Sequence, residues 1–141
     1  MDARFNKLQL TKQIKAIAAF RDQIEISNID AIDFTVARFK QDDTFFYLDP
    51  PYYVKGSKLY RNFYKHDDHC AIRSMLLRHR LEKWIVSYDD VPEIRDIYAP
   101  FTPISYSLNY SAGTSSTGSE VIFFSDGMRV PIFPGFIKMV A

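Results

Sequence analysis

Four consecutive residues, Asp49-Pro50-Pro51-Tyr52, combine types that can do chemistry together. A carboxylate and a backbone carbonyl accept hydrogen bonds, two proline rings stiffen the chain beside them, and a tyrosine offers a flat face. Such a set can grip an amine and stack a planar ring, with no need of a metal or a covalent nucleophile. Its context sharpens the reading. Thr44-Phe45-Phe46-Tyr47-Leu48 is a nearly continuous apolar run, the pattern of a strand buried on both faces of a parallel sheet. Two successive prolines can neither extend a sheet ladder nor enter a helix interior. The chain must therefore break at the carboxyl end of this strand, where open α/β sheets place their ligands.

Other elements must hold that break in place. Leu10, Ile14 and Ile17 fall on one face of a helix predicted over 7–20, and a strand over 23–29, carrying Ile24 and Ile26, ends at Asp30. A short helix over 31–39 leads to the apolar run. Residues 53–65 lack a period and read as a loop. A helix over 67–80 opens with Asp67 and Asp68 and closes with Arg78, His79 and Arg80, an order that complements the helix dipole. Trp84 to Tyr88 reads as a second buried strand, and Pro92 opens a short helix to Tyr98. Two strands, 104–110 and 120–125, flank a mobile Ser/Gly loop over 111–119, where Asn109 and Ser115 read as parts of a solvated turn. Residues 128–141 form a tail. The order implies an α/β fold, mostly parallel, with an antiparallel hairpin at its carboxyl-terminal edge.

Composition bounds the class. With 141 residues, 47% hydrophobic and 25% charged, the chain suits one soluble domain. It has no apolar run long enough to span a membrane and no apolar leader after Met1, and its single cysteine, Cys70, cannot close an internal disulfide. The expected compartment is the reducing cytoplasm. Residues 53–83 carry a local charge of +5 in a chain of net +1, a pointer to phosphate or nucleic acid as partner. His66, His69 and Cys70 bunch at one helix start without a fourth ligand, so no metal is expected.

Asp49-Pro50-Pro51-Tyr52 and the strand before it resemble the catalytic strand and loop of the DNA N6-adenine methyltransferases of the DNA adenine methylase type. Ile29-Asp30 is similar to the acidic end of that family's preceding strand. Val86-Ser87-Tyr88-Asp89-Asp90-Val91-Pro92-Glu93-Ile94 and Gly118-Ser119-Glu120-Val121-Ile122 resemble its following strand and closing hairpin. In order and spacing the likeness covers residues 7–125. It implies a Rossmann-like class I methyltransferase sheet, S-adenosylmethionine as cofactor, and DNA as substrate. The catalytic residues would be Asp49, Pro50, Pro51 and Tyr52, with Asp30 and Asp49 near the cofactor. Lys55, Lys58, Tyr60 and Arg61 would lie against DNA. The adenine N6 lone pair is delocalised into the ring; Asp49 and the Pro50 carbonyl would accept its two N–H bonds and localise that pair, while Tyr52 stacks the flipped base. The sequence departs from the family in one respect: its five glycines include no Gly-x-Gly. The family's first strands and its recognition domain are also missing. The expectation is thus a single partial catalytic domain, the carboxyl half of a split, truncated or decayed enzyme, completed by a second chain that supplies the glycine-rich half. The alternative is a remnant that binds nucleic acid or a partner and transfers nothing.

Overall fold

The computed structural model describes residues 6–41, 43–54, 56, 63–110 and 116–130, in two compact units that divide after Asp30. In the first unit, helix α1 (Lys7–Ala18) is opened by Asn6, whose side chain accepts the Gln9 amide at 3.0 Å. Leu10, Ile14 and Ile17 share a face, as the spacing predicts, yet no residue of α1 is buried. The strand expected over 23–29 does not form. Arg21–Gln23 make a single 3₁₀ turn, and the residues after it belong to no ladder, with Ile26 91% exposed. An alternating pattern makes a strand only where a neighbour takes its backbone hydrogen bonds, and none of the described strands pairs with this segment.

The second unit is mixed α/β. Its elements are α2 (Ala31–Arg38), β1 (Phe46–Leu48), α3 (His66–Arg78), β2 (Trp84–Asp89), α4 (Pro92–Ile97), β3 (Pro103–Tyr110) and β4 (Ser116–Phe124). The four strands lie in the order β1-β2-β4-β3. Only β1 and β2 pair in parallel; β2–β4 and β4–β3 are antiparallel. The described sheet is therefore mixed in its pairings, because the returning strand β4 inserts beside β2 instead of staying at the edge. Part of the expected Ser/Gly loop, residues 116–119, belongs to β4; residues 111–115 and the tail from 131 onward lie outside the described residues.

Register sorts the side chains into two faces. Phe46 lies opposite Trp84, Val86 opposite Phe123, and Tyr88 opposite Val121. All six are buried and form the core with Ile72, Met75 and Leu76 of α3, Ile94 and Ile97 of α4, and Tyr98 and Phe101 beyond it. Phe39 packs edge-on against Phe46 at 4.7 Å, and Tyr98 stacks on Phe123 at 4.7 Å. The opposite face carries Tyr47, Ser87, Asp89 and Glu120. Strand β1 is thus not buried on both faces: Phe46 is buried while Tyr47, pointing away from the helices, is exposed. The helices end as their chemistry demands. The Asp68 carboxylate accepts the Lys65 amide at 2.7 Å at the start of α3, and Pro92 occupies the first turn of α4. At Gly127 a Cβ would collide with the Leu81 carbonyl oxygen, so the close approach of these two turns requires glycine.

His69 is wholly buried on α3, with the rings of Tyr53, Tyr64 and Tyr88 around it and Nδ1 3.4 Å from the Tyr88 hydroxyl. Desolvation lowers its pKa below the ordinary 6.5; the Asp68 and Asp89 charges and the Tyr64 backbone oppose the shift and His66 adds to it. The folded ring stays neutral where the unfolded ring takes up a proton. Stability from this site is therefore full above pH 6.5 and is lost as pH falls towards the folded pKa. The urea midpoint is expected to be lower at pH 5.5 than at pH 7.5, and His69→Phe to flatten that slope; an unchanged slope in the variant would refute the assignment.

Candidate active site

β1 and β2 run side by side and deliver their carboxyl ends to one place. Leu48 is the last residue of β1 in the ladder, opposite Val86, so Asp49 comes level with Ser87. The Ser87 hydroxyl donates to Asp49 Oδ1 at 3.1 Å, and Tyr47 OH lies 3.0 Å from Ser87 Oγ. Ser87 has one hydroxyl proton and gives it to Asp49, so Tyr47 is the donor of the second bond. The relay Tyr47–Ser87–Asp49 fixes one carboxylate oxygen. Asp49 is otherwise exposed, and its Oδ2 and the Pro50 carbonyl accept no hydrogen bond from the described residues. Both acceptors stand at the carboxyl end of a parallel pair.

The segment that follows is tied to the middle of the sheet. The amide of Tyr53 donates to Asp89 Oδ1 at 2.8 Å and that of Val54 to Asp89 Oδ2 at 3.0 Å. Asp89, the last residue of β2, is buried. Directly across the ladder stands Glu120 of β4, also buried, which accepts the Tyr52 hydroxyl at 2.7 Å and the Tyr106 hydroxyl from β3. The Tyr52 ring is thereby held by its hydroxyl. A Gly56 amide to Tyr52 carbonyl bond of 2.9 Å tightens the turn, and Tyr53 OH meets His66 Nδ1 at 3.1 Å.

A fourth carboxylate, Asp90, faces the other way and has a structural role. Arg95 grips it through Nε at 2.6 Å and Nη2 at 2.8 Å, and the same Nη2 reaches Ser105 Oγ at 2.6 Å. Ser119 Oγ donates to Asp90 at 3.2 Å, and the Asp90 amide to the Ser119 carbonyl at 3.1 Å. The Arg95 guanidinium holds the Asp90 carboxyl below its ordinary range, and Asp90 in turn raises the Arg95 pKa. This network ties the start of α4 to β3 and β4.

Of the residues expected at the site, Asp49, Pro50, Pro51 and Tyr52 lie together at the end of β1. Asp30 is the exposed last residue of the first unit. Lys55, Lys58, Tyr60 and Arg61 lie outside the described residues. Sequence reasoning assigned no role to Ser87, Asp89 or Glu120, although acids closing an apolar strand (Ser87-Tyr88-Asp89-Asp90) and an acid opening one (Glu120-Val121-Ile122) were visible signals. Among the described residues no group of three or more His, Cys, Asp and Glu side chains could hold a metal ion, and no helix is long and apolar enough to cross a membrane.

Acceptors beyond the carboxyl ends of parallel strands, beside Tyr52, stand where open α/β sheets place their ligands. The comparison with known families makes this specific: residues 2–111 match the D12 class N6 adenine-specific DNA methyltransferases, and the chain belongs to that family of DNA-modifying enzymes. No curated protein matches the chain.

Proposed function

We propose that the chain methylates the N6 amine of adenine in DNA, with the base turned out of the duplex and S-adenosylmethionine as methyl donor. The observation that carries this reading is the pair of open acceptors, Asp49 Oδ2 and the Pro50 carbonyl, fixed by Ser87 on one side and by two prolines on the other. An amine flanked by two such acceptors has its N–H bonds held, and its nitrogen lone pair is no longer shared so fully with the ring. Preorganisation of the acceptors means that little rearrangement is needed at the moment of transfer. Tyr52, held through Glu120, supplies the stacking face. As the N–CH3 bond forms and the sulfonium S–CH3 bond breaks, N6 must shed one proton, and the N–H bond accepted by Asp49 gives that proton a path to solvent.

S-adenosylmethionine supplies an electrophilic methyl group when bound. The described residues fit the amine side of that reaction and not the cofactor side. Near the loop the only described glycine is Gly56, and a Cβ there would meet Pro51 in ordinary contact at 3.5 Å, so no glycine-dependent cradle stands beside Asp49. We assign the cradle to a glycine-rich partner segment, which Asp49 would approach from this chain, and place the working protein in the cytoplasm with its DNA. Lys55, Lys58, Tyr60 and Arg61 would hold phosphates.

The test is direct. The full chain, alone and with a glycine-rich partner, is incubated with S-adenosylmethionine and an adenine-containing duplex, and the digest is analysed for N6-methyladenine by mass spectrometry. Product in either mixture is expected. DNA binding with no product in both would favour the non-catalytic remnant.

A further inference from the structure

We propose that Asp89 is a positioning residue of the methyl-transfer site, a carboxylate clamp that aims the Pro50 carbonyl and Asp49 by holding the backbone just beyond them; this rests on the methyltransferase reading above. The argument begins with cost. A carboxylate 3% exposed has given up most of its hydration, which is tolerable only when hydrogen bonds replace it. Both of its oxygens are engaged, and both by the amides of one segment, Tyr53 and Val54, 36 and 35 residues away in sequence. Its position inside a β2 ladder does not call for an acid; a polar end to the strand could be made by any residue exposed to water. The charge is spent on the loop.

The geometry says what that accomplishes. The ladder fixes the chain at Leu48, opposite Val86. The clamp fixes it again at Tyr53 and Val54. Only residues 49–52 lie between. Two of those four are prolines, whose φ is set by their rings. A third, Tyr52, is tied by its hydroxyl to Glu120, which sits across the ladder from Asp89. With both ends fixed and the middle stiff, few backbone states remain, and the direction of the Pro50 carbonyl is one consequence. Without the clamp the amides beyond Tyr52 are released and the far end is held mainly through the Tyr52 and Tyr53 hydroxyls, so the direction of the carbonyl is less closely set. Ser87 sets the Asp49 side chain, whereas Asp89 sets the backbone acceptor. The two acids that hold the loop thus divide the work: Asp89 governs aim and Glu120 governs the stacking face.

This division predicts a separation in the kinetics. Loss of aim affects the transition state more than binding, because the base still finds Tyr52. In the full chain, assayed with whatever partner gives product, Asp89→Asn should lower kcat about ten- to a hundredfold while KM for the duplex stays within about twofold. Asn keeps the size of Asp but offers one acceptor oxygen, so one of the two amides is released. Asp89→Glu, which keeps the charge and both acceptors, should recover part of kcat. Independently of activity, amide exchange measured by NMR should be slow at Tyr53 and Val54, and in Asp89→Asn should quicken at one or both of these amides and at no residue of the sheet. If Asp89→Asn fails to fold, Val54→Pro removes one donor from the loop side and should lower kcat in the same way. Wild-type kcat in a variant whose Tyr53 and Val54 amides have lost protection overturns the positioning role alone. Unchanged protection overturns the clamp itself. A wild-type chain that yields no N6-methyladenine under any condition overturns the methyltransferase reading, whatever the amides report.

Discussion

Replacing Asp49 by alanine is expected to lower kcat for adenine methylation by about a hundred- to a thousandfold, the cost typical of removing one preorganised hydrogen-bonding group from a transition state. The residue is exposed and its one hydrogen bond from the described residues comes from Ser87, so stability should hold within about 0.5 kcal/mol. Asn is the more informative replacement. The carboxylate has two oxygens: Oδ1 takes the Ser87 hydroxyl, and Oδ2 takes no hydrogen bond from the described residues, which leaves it for the amine in the proposed reaction. An amide has one acceptor oxygen. Asp49→Asn must either keep Ser87 and present an NH2 to the amine, or turn over and lose Ser87. Either choice costs activity, though less than alanine. The measurement is single-turnover methylation of an adenine duplex with urea midpoints taken in parallel. Undiminished turnover in the alanine variant of a folded protein would overturn the assignment of Asp49 to the reaction.

How much of this was legible in the sequence depended on whether the signal was local. Asp49-Pro50-Pro51-Tyr52 could be read because proline chemistry acts within a few residues, and the break after β1 stands where the prolines demand it. Pro92 marked the start of α4 for the same reason, and Asp67, Asp68 and Arg78 marked the ends of α3. The segment 23–29 misled, since Ile24 and Ile26 alternate like a strand while a strand's existence depends on a neighbour elsewhere in the chain. The mixed sheet was hidden as well: two consecutive strands predict a hairpin, and nothing local says that β4 rather than β3 will lie against β2. The clamp lay beyond reach for a third reason. Asp89 and Tyr53 are brought together only by the parallel pairing of β1 with β2, and the sequence shows two strand ends without saying that they are neighbours. Trp84-Ile85-Val86 is apolar at successive positions and reads as buried throughout; that Ser87 leaves the core side and meets Asp49 followed from register alone.

Trp84 is the largest wholly buried side chain of the scaffold among the described residues. The side chain is wholly buried at the start of β2, packs edge-on against Phe101 at 5.0 Å, and donates its indole N–H to the His79 carbonyl at 3.0 Å. Trp84→Ala is expected to cost about 3–5 kcal/mol, the sum of lost transfer energy and the cavity left behind. Domains of this kind are stable by only about 5–15 kcal/mol, so the variant should sit near the edge of unfolding at 25 °C. The lost hydrogen bond adds little, because the His79 carbonyl retains the Glu82 amide at 3.1 Å. Trp84→Phe, which keeps most of the apolar area, separates the two contributions and should cost clearly less than alanine. Trp84 is the sole tryptophan, so urea unfolding of both variants must be followed by far-UV circular dichroism instead of indole fluorescence. Equal midpoints for wild type and Trp84→Ala would mean that the ring is not part of the core. The consequence reaches the chemistry through one strand: Trp84 begins the ladder that ends in Ser87 and Asp89, and a strand that shifts in register by one residue turns both side chains into the core and away from the loop they hold.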